Sequence, residues 1–206
     1  MKNVITKTEE KRKIKKRKNI PKELIYEMRK GSPIYYRDYK EVLEGKKTLE
    51  EVMGSSELQA ILTYLLLKWL AMKLDSKKYI IATNEAGYKF APKSWYNLDI
   101  AIIERDKIKK PKDKYLTTPP KVVIEIDTKA DLNKFENPQD YFHRKTQDLL
   151  DSGIEKVIWI FTKDKKIWLA EKGKRWFITD WNDTLDVIDD IKLNLEKLIS
   201  EEGIEV

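Results

Sequence analysis

The chain has 206 residues with 42 Lys/Arg, 35 Asp/Glu, one His and no Cys, for a formal net charge of +7. The absence of cysteine excludes a disulfide framework and a thiolate metal site, and a single histidine, His143, excludes the multi-histidine zinc sites, so any metal must be held by oxygen. No run approaches the roughly 18 apolar residues of a membrane span, and the opening MKNVITKTEEKRKIKK lacks an apolar signal core; the expectation is a soluble, cytoplasmic protein with no membrane partner.

The charge is unevenly placed. Residues 1–30 hold twelve Lys/Arg against four Glu, a net of +8, which leaves the remainder at −1. The expected organisation is a basic N-terminal arm over 1–30, partly disordered or forming a short helix, and one domain over 31–206. Leu24, Ile25 and Met28 recur at helical spacing within Ile20–Arg29, ahead of the break at Gly31-Ser32-Pro33. Lys15, Lys16 and Arg17, inside KRKIKKRK, are candidate phosphate contacts through counterion release. A solvated arm without a fixed role is an equal alternative.

A second short helix is expected over Tyr35–Glu44, ended by Gly45. Ser55–Leu74 reads as a long core helix, apolar on nearly all sides, with Ser56 and Gln59 in a capping-box pattern. Glu57, in its first turn, is expected to point along the packed stripe. It either complements the helix dipole or, as the minority reading, serves as a metal ligand. Strands follow at Lys78–Thr83 and Ala86–Phe90, flanking Asn84-Glu85, and at Leu98–Glu104, where Asp99 shares a face with Ala101 and Ile103. Arg105–Pro120, charged and with three prolines, reads as a surface loop.

The stretch Lys121–Lys129, KVVIEIDTK, has the composition of a strand covered on both faces, yet Glu125 lies in its middle. Alternation puts Glu125 on one face with Val123 and Asp127, and a carboxylate buried there requires a cationic partner. A helix over Gln139–Ser152 follows. Lys145 lies three residues after Phe142 and four before Leu149, so it stands on the packed side. The helix leads into an apolar strand, Lys156–Thr162, and strand, helix and strand in this order imply a parallel pair. Lys166–Ala170 and Arg175–Thr179 read as a hairpin, and Leu185–Leu193 precedes a short helix, Leu195–Glu201, capped by Asn194. The fold class expected is α/β: an αβββαβ core with a mixed sheet between helices and an appended C-terminal β-hairpin. There is no P-loop, no dinucleotide fingerprint and no Gly-x-Ser-x-Gly, so chemistry must come from carboxylates and lysine.

LDIAIIE at Leu98–Glu104, PPKVVIEIDT at Pro119–Thr128 and KTQDLLDSGIEKVIWI at Lys145–Ile160, in this order and spacing, resemble the PD-(D/E)xK nuclease superfamily. More narrowly, Tyr39 to about Ile199 resembles the Uma-two family of restriction-endonuclease-like proteins. The resemblance implies a restriction-endonuclease-like fold and hydrolysis of phosphodiester bonds, with DNA as partner and Mg²⁺ or Mn²⁺ as cofactor. It further implies Asp99, Glu125 and the backbone carbonyl of Ile126 as metal ligands; Glu57, and Asp127 as an added charge that either binds a second ion or depresses activity, are further candidates outside the family pattern. Lys145, on the helix, takes the place of the superfamily's strand lysine, and Lys129 is the second candidate, also for nucleic-acid contact. The chain departs from the pattern in having Leu98 for proline, Leu58 for a frequent histidine and Asp127 where the strand lysine falls. A homodimer is compatible with two-strand cleavage. The alternative function is a catalytically silent nucleic-acid-binding or interaction module in which Asp99, Glu125 and Lys145 form a buried packing triad.

Overall fold

Alternation along a strand explains how this fold is put together. The computed structural model describes residues 20–206, so Lys15, Lys16 and Arg17 lie outside the described residues. Strand β5 (Val122–Ile126) is buried at all five positions, its odd and even residues feeding two separate cores. Val122, Ile124 and Ile126 join Ile100 and Ile102 of β4 (Ser94–Glu104) and Ile158 and Ile160 of β6 (Lys156–Phe161) on one face. That face is covered by α3 (Glu57–Lys73), through Leu62, Leu66 and Leu70, and by α5 (Leu195–Glu201). Val123 joins Ala101, Ile103, Val157 and Trp159 on the other, against Tyr141, Leu149 and Leu150 of α4 (Pro138–Asp151).

The main sheet has eight strands in the order β2 (Ser32–Tyr35), β1 (Ile25–Arg29), β4, β5, β6, β7 (Lys166–Glu171) and β8 (Phe177–Asp180), with β3 (Tyr79–Ala91) also paired to β4. Among the described strands β5 and β6 run parallel and the other strand pairings are antiparallel. This is the expected mixed α/β sheet, with the parallel pair joined through α4. β7 (Lys166–Glu171) and β8 (Phe177–Asp180) extend the main sheet, and β9 (Thr184–Ile188) with β10 (Ile191–Asn194) forms a separate C-terminal hairpin. Among the described residues no helix is long and apolar enough to cross a membrane.

The structure corrects the reading near the start of the described chain. The helix expected over Ile20–Arg29 is a 3-10 turn (Lys22–Leu24) followed by strand β1 (Ile25–Arg29), which pairs with β2 (Ser32–Tyr35). Lys30 and Gly31 both have positive φ, +50° and +78°, the conformation of a two-residue hairpin turn whose twist matches the strands. The apolar spacing fitted a helix, but the turn returns the chain and sheet pairing decides the state. The second short helix shrinks to α1 (Tyr39–Leu43), and a further one, α2 (Leu49–Met53), carries the complete capping box, Thr48 with Glu51. On α3, Ser56 accepts from the Gln59 backbone as expected, but the Gln59 side chain turns inward instead of back to the cap.

Candidate active site

β4 changes neighbours in mid-course. β3 lines one edge of β4 from Ser94 to Glu104, so β1, paired at Trp95, and β5, paired at Ile100–Ile102, share the other. Between them a short length of β4 is paired with neither strand, and side chains take over the hydrogen bonds of that edge. Asn97 N–H donates to Glu27 Oε1 at 3.3 Å, and Asn97 C=O accepts from Lys145 Nζ at 2.9 Å. On the β5 side, Ile126 N–H donates to Asp99 Oδ2 at 2.7 Å and Ile126 C=O accepts from Gln59 Nε2 at 2.8 Å. Buried backbone groups must find partners, so the fork draws polar side chains inward.

Lys145 is at the centre of these contacts. Its ammonium lies 2.8 Å from Glu27 Oε1 and 3.1 Å from Glu125 Oε1, and the three side chains are 1%, 0% and 1% exposed. Tyr141 donates to Glu27 Oε2 at 2.8 Å. Glu125 Oε1, although close to Lys145, has no aligned hydrogen bond, so that contact is ionic only. Tyr141, Lys145 and Asp148 are spaced four and three residues apart on one side of α4. Asp148 takes Arg29 Nη2 at 2.9 Å and the Tyr96 hydroxyl at 2.6 Å, fastening β1 to the helix at a second point.

Three carboxylates thus face one ammonium. Burial pushes the Glu125 carboxyl well above the usual range, against the pull of Lys145, and raises Glu27 in the same way. Burial alone would lower Lys145, but Glu125 and Glu27 outweigh it and hold the amine charged. Asp99 rises to about 6, chiefly through burial, opposed by the Ile126 N–H and by Lys145. With all three carboxylates ionised the cluster is two positive charges short, a deficit that protons or a bound cation would fill.

Asp99, Glu125 and Lys145 are therefore brought together at the fork, the convergence that the resemblance implied. The Ile126 carbonyl lies there too, with Gln59 already on it. The other predicted residues are placed differently. Glu57 is exposed at the start of α3, and the inward position belongs to Gln59, because only the latter faces β5. Asp127 lies past the end of β5 with φ +54° and accepts from Thr162 N–H at 3.0 Å and Thr162 Oγ1 at 2.6 Å, closing the end of the parallel pair instead of facing Glu125. Lys129 is ion-paired with Glu85 and donates to Met53 C=O at 2.9 Å. Glu85 stands on a β-bulge, where Asn84 and Glu85, both at positive φ, oppose Asp99 between the Thr83–Ile100 and Ala86–Leu98 pairs.

Sequence reasoning missed Glu27, Gln59 and Tyr141. A signal existed for Glu27: it is a lone acid between Tyr26 and Met28, just before a Lys-Gly hairpin turn. Among the described residues no group of three or more Asp, Glu or His side chains forms a ready metal cage. Two carboxylates with further oxygen ligands do, however, suit Mg²⁺, and Glu125 Oε1, ion-paired with Lys145 but without an aligned hydrogen bond, has lone pairs to offer.

A crystal structure from Anabaena variabilis ATCC 29413, described as a candidate nuclease belonging to DUF820, is similar to this chain with a TM-score of 0.58 at 12% identity, over 84% of this chain and 89% of that one. The likeness is one of fold. No family model matches the chain. No curated protein matches it either.

Proposed function

We propose that the chain is a Mg²⁺- or Mn²⁺-dependent endonuclease that hydrolyses phosphodiester bonds, with DNA as substrate. The observation that carries this reading is the charge deficit at the fork: Asp99 and Glu125 beside a buried ammonium, with one glutamate oxygen unbonded. The likeness to a chain described as a candidate nuclease supports it. In this reading Asp99 and Glu125 hold the cation, and the Ile126 carbonyl joins them if Gln59 yields. A bound divalent ion would neutralise phosphate charge and lower the pKa of an attacking water. Lys145, kept protonated by its two glutamates, cannot act as a base; it presents positive charge to the phosphate as negative charge develops. Asp99, with its pKa near 6, is ionised and able to bind a cation at neutral pH.

DNA is favoured over a small phosphodiester by exposed charge. Lys107, Lys109, Lys110, Lys112 and Lys114 crowd the exposed loop after β4, whose end is anchored on the outer edge of β3. Leu116 bonds to Gly87 and Lys89 on β3, and Tyr115 lies so close over Gly87 that a Cβ there would meet its ring at 2.6 Å.

The second reading, a silent module retaining the fold, is favoured by one observation: Glu125 and Lys145 are almost fully buried. Incubating the purified protein with plasmid and short duplexes in Mg²⁺ or Mn²⁺ separates the two. Cleavage that disappears in Asp99→Ala and Glu125→Ala supports hydrolysis; no cleavage with either ion, or cleavage that survives both substitutions, supports the silent module.

A further inference from the structure

Two glutamates share Lys145, and they are not equivalent. Glu27 is well satisfied by three hydrogen bonds: Oε1 accepts from Lys145 and from the Asn97 N–H, and Oε2 accepts from Tyr141. Glu125 has only the unaligned 3.1 Å contact with the same ammonium. Glu27 also arrives from β1, an element outside the αβββαβ core, and β1 is fixed to α4 again through Arg29 and Asp148. A carboxylate with three of its roughly four acceptor positions taken has little capacity left for a cation. One held by a single ionic contact can exchange it.

We propose that Glu27 is a positioning residue of the hydrolytic centre: it anchors the Lys145 ammonium against Asn97, so that Glu125 is free to take the divalent cation without losing the lysine. This rests on the nuclease reading above. Lys145 has three N–H groups. Two are committed, to Glu27 Oε1 and to Asn97 C=O, which leaves one with no aligned acceptor and only the ionic contact to Glu125 beside it. When a cation draws Glu125 away, the lysine keeps its place because its two aligned bonds are made elsewhere. The N-terminal hairpin is then part of the active site and not an appendage to it.

The test is Glu27→Gln, which keeps the shape and one acceptor oxygen but removes the charge that holds the ammonium. The expected result is kcat lowered about 100-fold, as for a displaced reacting group, with KM for DNA unchanged and a higher Mg²⁺ concentration needed for half-maximal rate. The higher Mg²⁺ demand follows because the lysine would turn to Glu125 and compete with the ion. A merely structural glutamate would alter the melting temperature and leave that Mg²⁺ dependence alone. If Glu27→Gln does not fold, Tyr141→Phe removes one of the bonds orienting Glu27 and should shift kcat and Mg²⁺ demand in the same directions by a smaller factor. Wild-type kcat and Mg²⁺ dependence in a folded Glu27→Gln, or in Tyr141→Phe where that is the variant used, would overturn the proposal. An activity-independent measurement distinguishes this from failure of the nuclease reading. In a protein with ¹⁵N-labelled lysine, a buried ammonium held by two aligned bonds gives a slowly exchanging Nζ–H signal, which Lys145→Met identifies by its loss. If the wild type never cleaves but this signal weakens in Glu27→Gln, the anchoring stands and the hydrolytic reading falls. If the signal is unchanged, the anchoring itself is wrong.

Discussion

The two faces of the eight-stranded sheet come from the same strands and hold opposite chemistry. On the α3 and α5 side, Ile100, Ile102, Val122, Ile124, Ile126, Ile158 and Ile160 meet leucines, and the buried polar side chain that α3 brings, Gln59, is uncharged. On the α4 side a comparable cluster is interrupted by Glu27, Glu125 and Lys145, all within a few hydrogen-bond lengths. Burial of apolar area on the first face contributes stability, about 25 cal/mol for each Å² removed from water. The second face gives some of that up by desolvating charges, whose mutual attraction seldom does more than offset the penalty. One face holds the sheet together, and the other is left with groups that can react.

Four experiments would break or sharpen this contrast. The largest effect is expected in catalysis: Asp99→Ala and Glu125→Ala should each lower cleavage about 1,000-fold, measured on plasmid in Mg²⁺ with folding confirmed by circular dichroism. Next is Lys145→Met, which leaves two buried carboxylates without their cation and should cost about 3–5 kcal/mol in urea denaturation. Removing both glutamates as well, in Lys145→Met with Glu27→Gln and Glu125→Gln, should recover much of that loss. If the triple variant is as unstable as the single one, packing and not charge explains the cluster. On the other face, Leu66→Ala should cost about 2–5 kcal/mol through the cavity it leaves, while cleavage per folded molecule stays at the wild-type rate. A loss of rate in that variant would show that the two faces are coupled.

The smallest expected effect is the pH dependence, and it follows from Asp99. Its folded pKa, about 6, is above the usual carboxylate value, so the native state holds this proton more tightly than the unfolded chain. Between about pH 4 and pH 6 stability therefore falls as pH rises. Without a divalent cation, Asp99→Asn should melt a few degrees higher than wild type at pH 7.5 and at nearly the same temperature at pH 4. Added Mg²⁺ or Mn²⁺ should raise the wild-type melting temperature at pH 7.5 more than at pH 5, because a proton competes with the ion. Equal shifts at both pH values would remove Asp99 from the cation site.

Local pattern determined more of the fold than of the site. The unbroken apolar run of β5, the helical period of α4 and the near-continuous hydrophobicity of α3 are written in consecutive residues, and each formed where its period placed it. The inward direction of Lys145 was legible for the same reason, since three- and four-residue spacing sets which side of a helix a residue occupies. Asp99 and Glu125 were legible as acids in apolar strands. Their convergence at a fork depends on β4 exchanging β1 for β5, which no local pattern encodes.

What only the tertiary structure decided is which groups complete the cluster. Ile25–Arg29 satisfies helical and strand patterns equally at so short a length, and pairing with β2 and β4 made it a strand, delivering Glu27 to Lys145 across 118 residues of sequence. Glu57 and Gln59 share the first turn of α3, and only the docking of that helix on β5 chose the glutamine. Alternation ends where a strand ends, so the positive φ of Asp127 sent a carboxylate to Thr162 that a longer β5 would have aimed beside Glu125. Periodicity constrains a side chain relative to its own element. A buried charge is settled by its partners, and those come from elements distant in sequence.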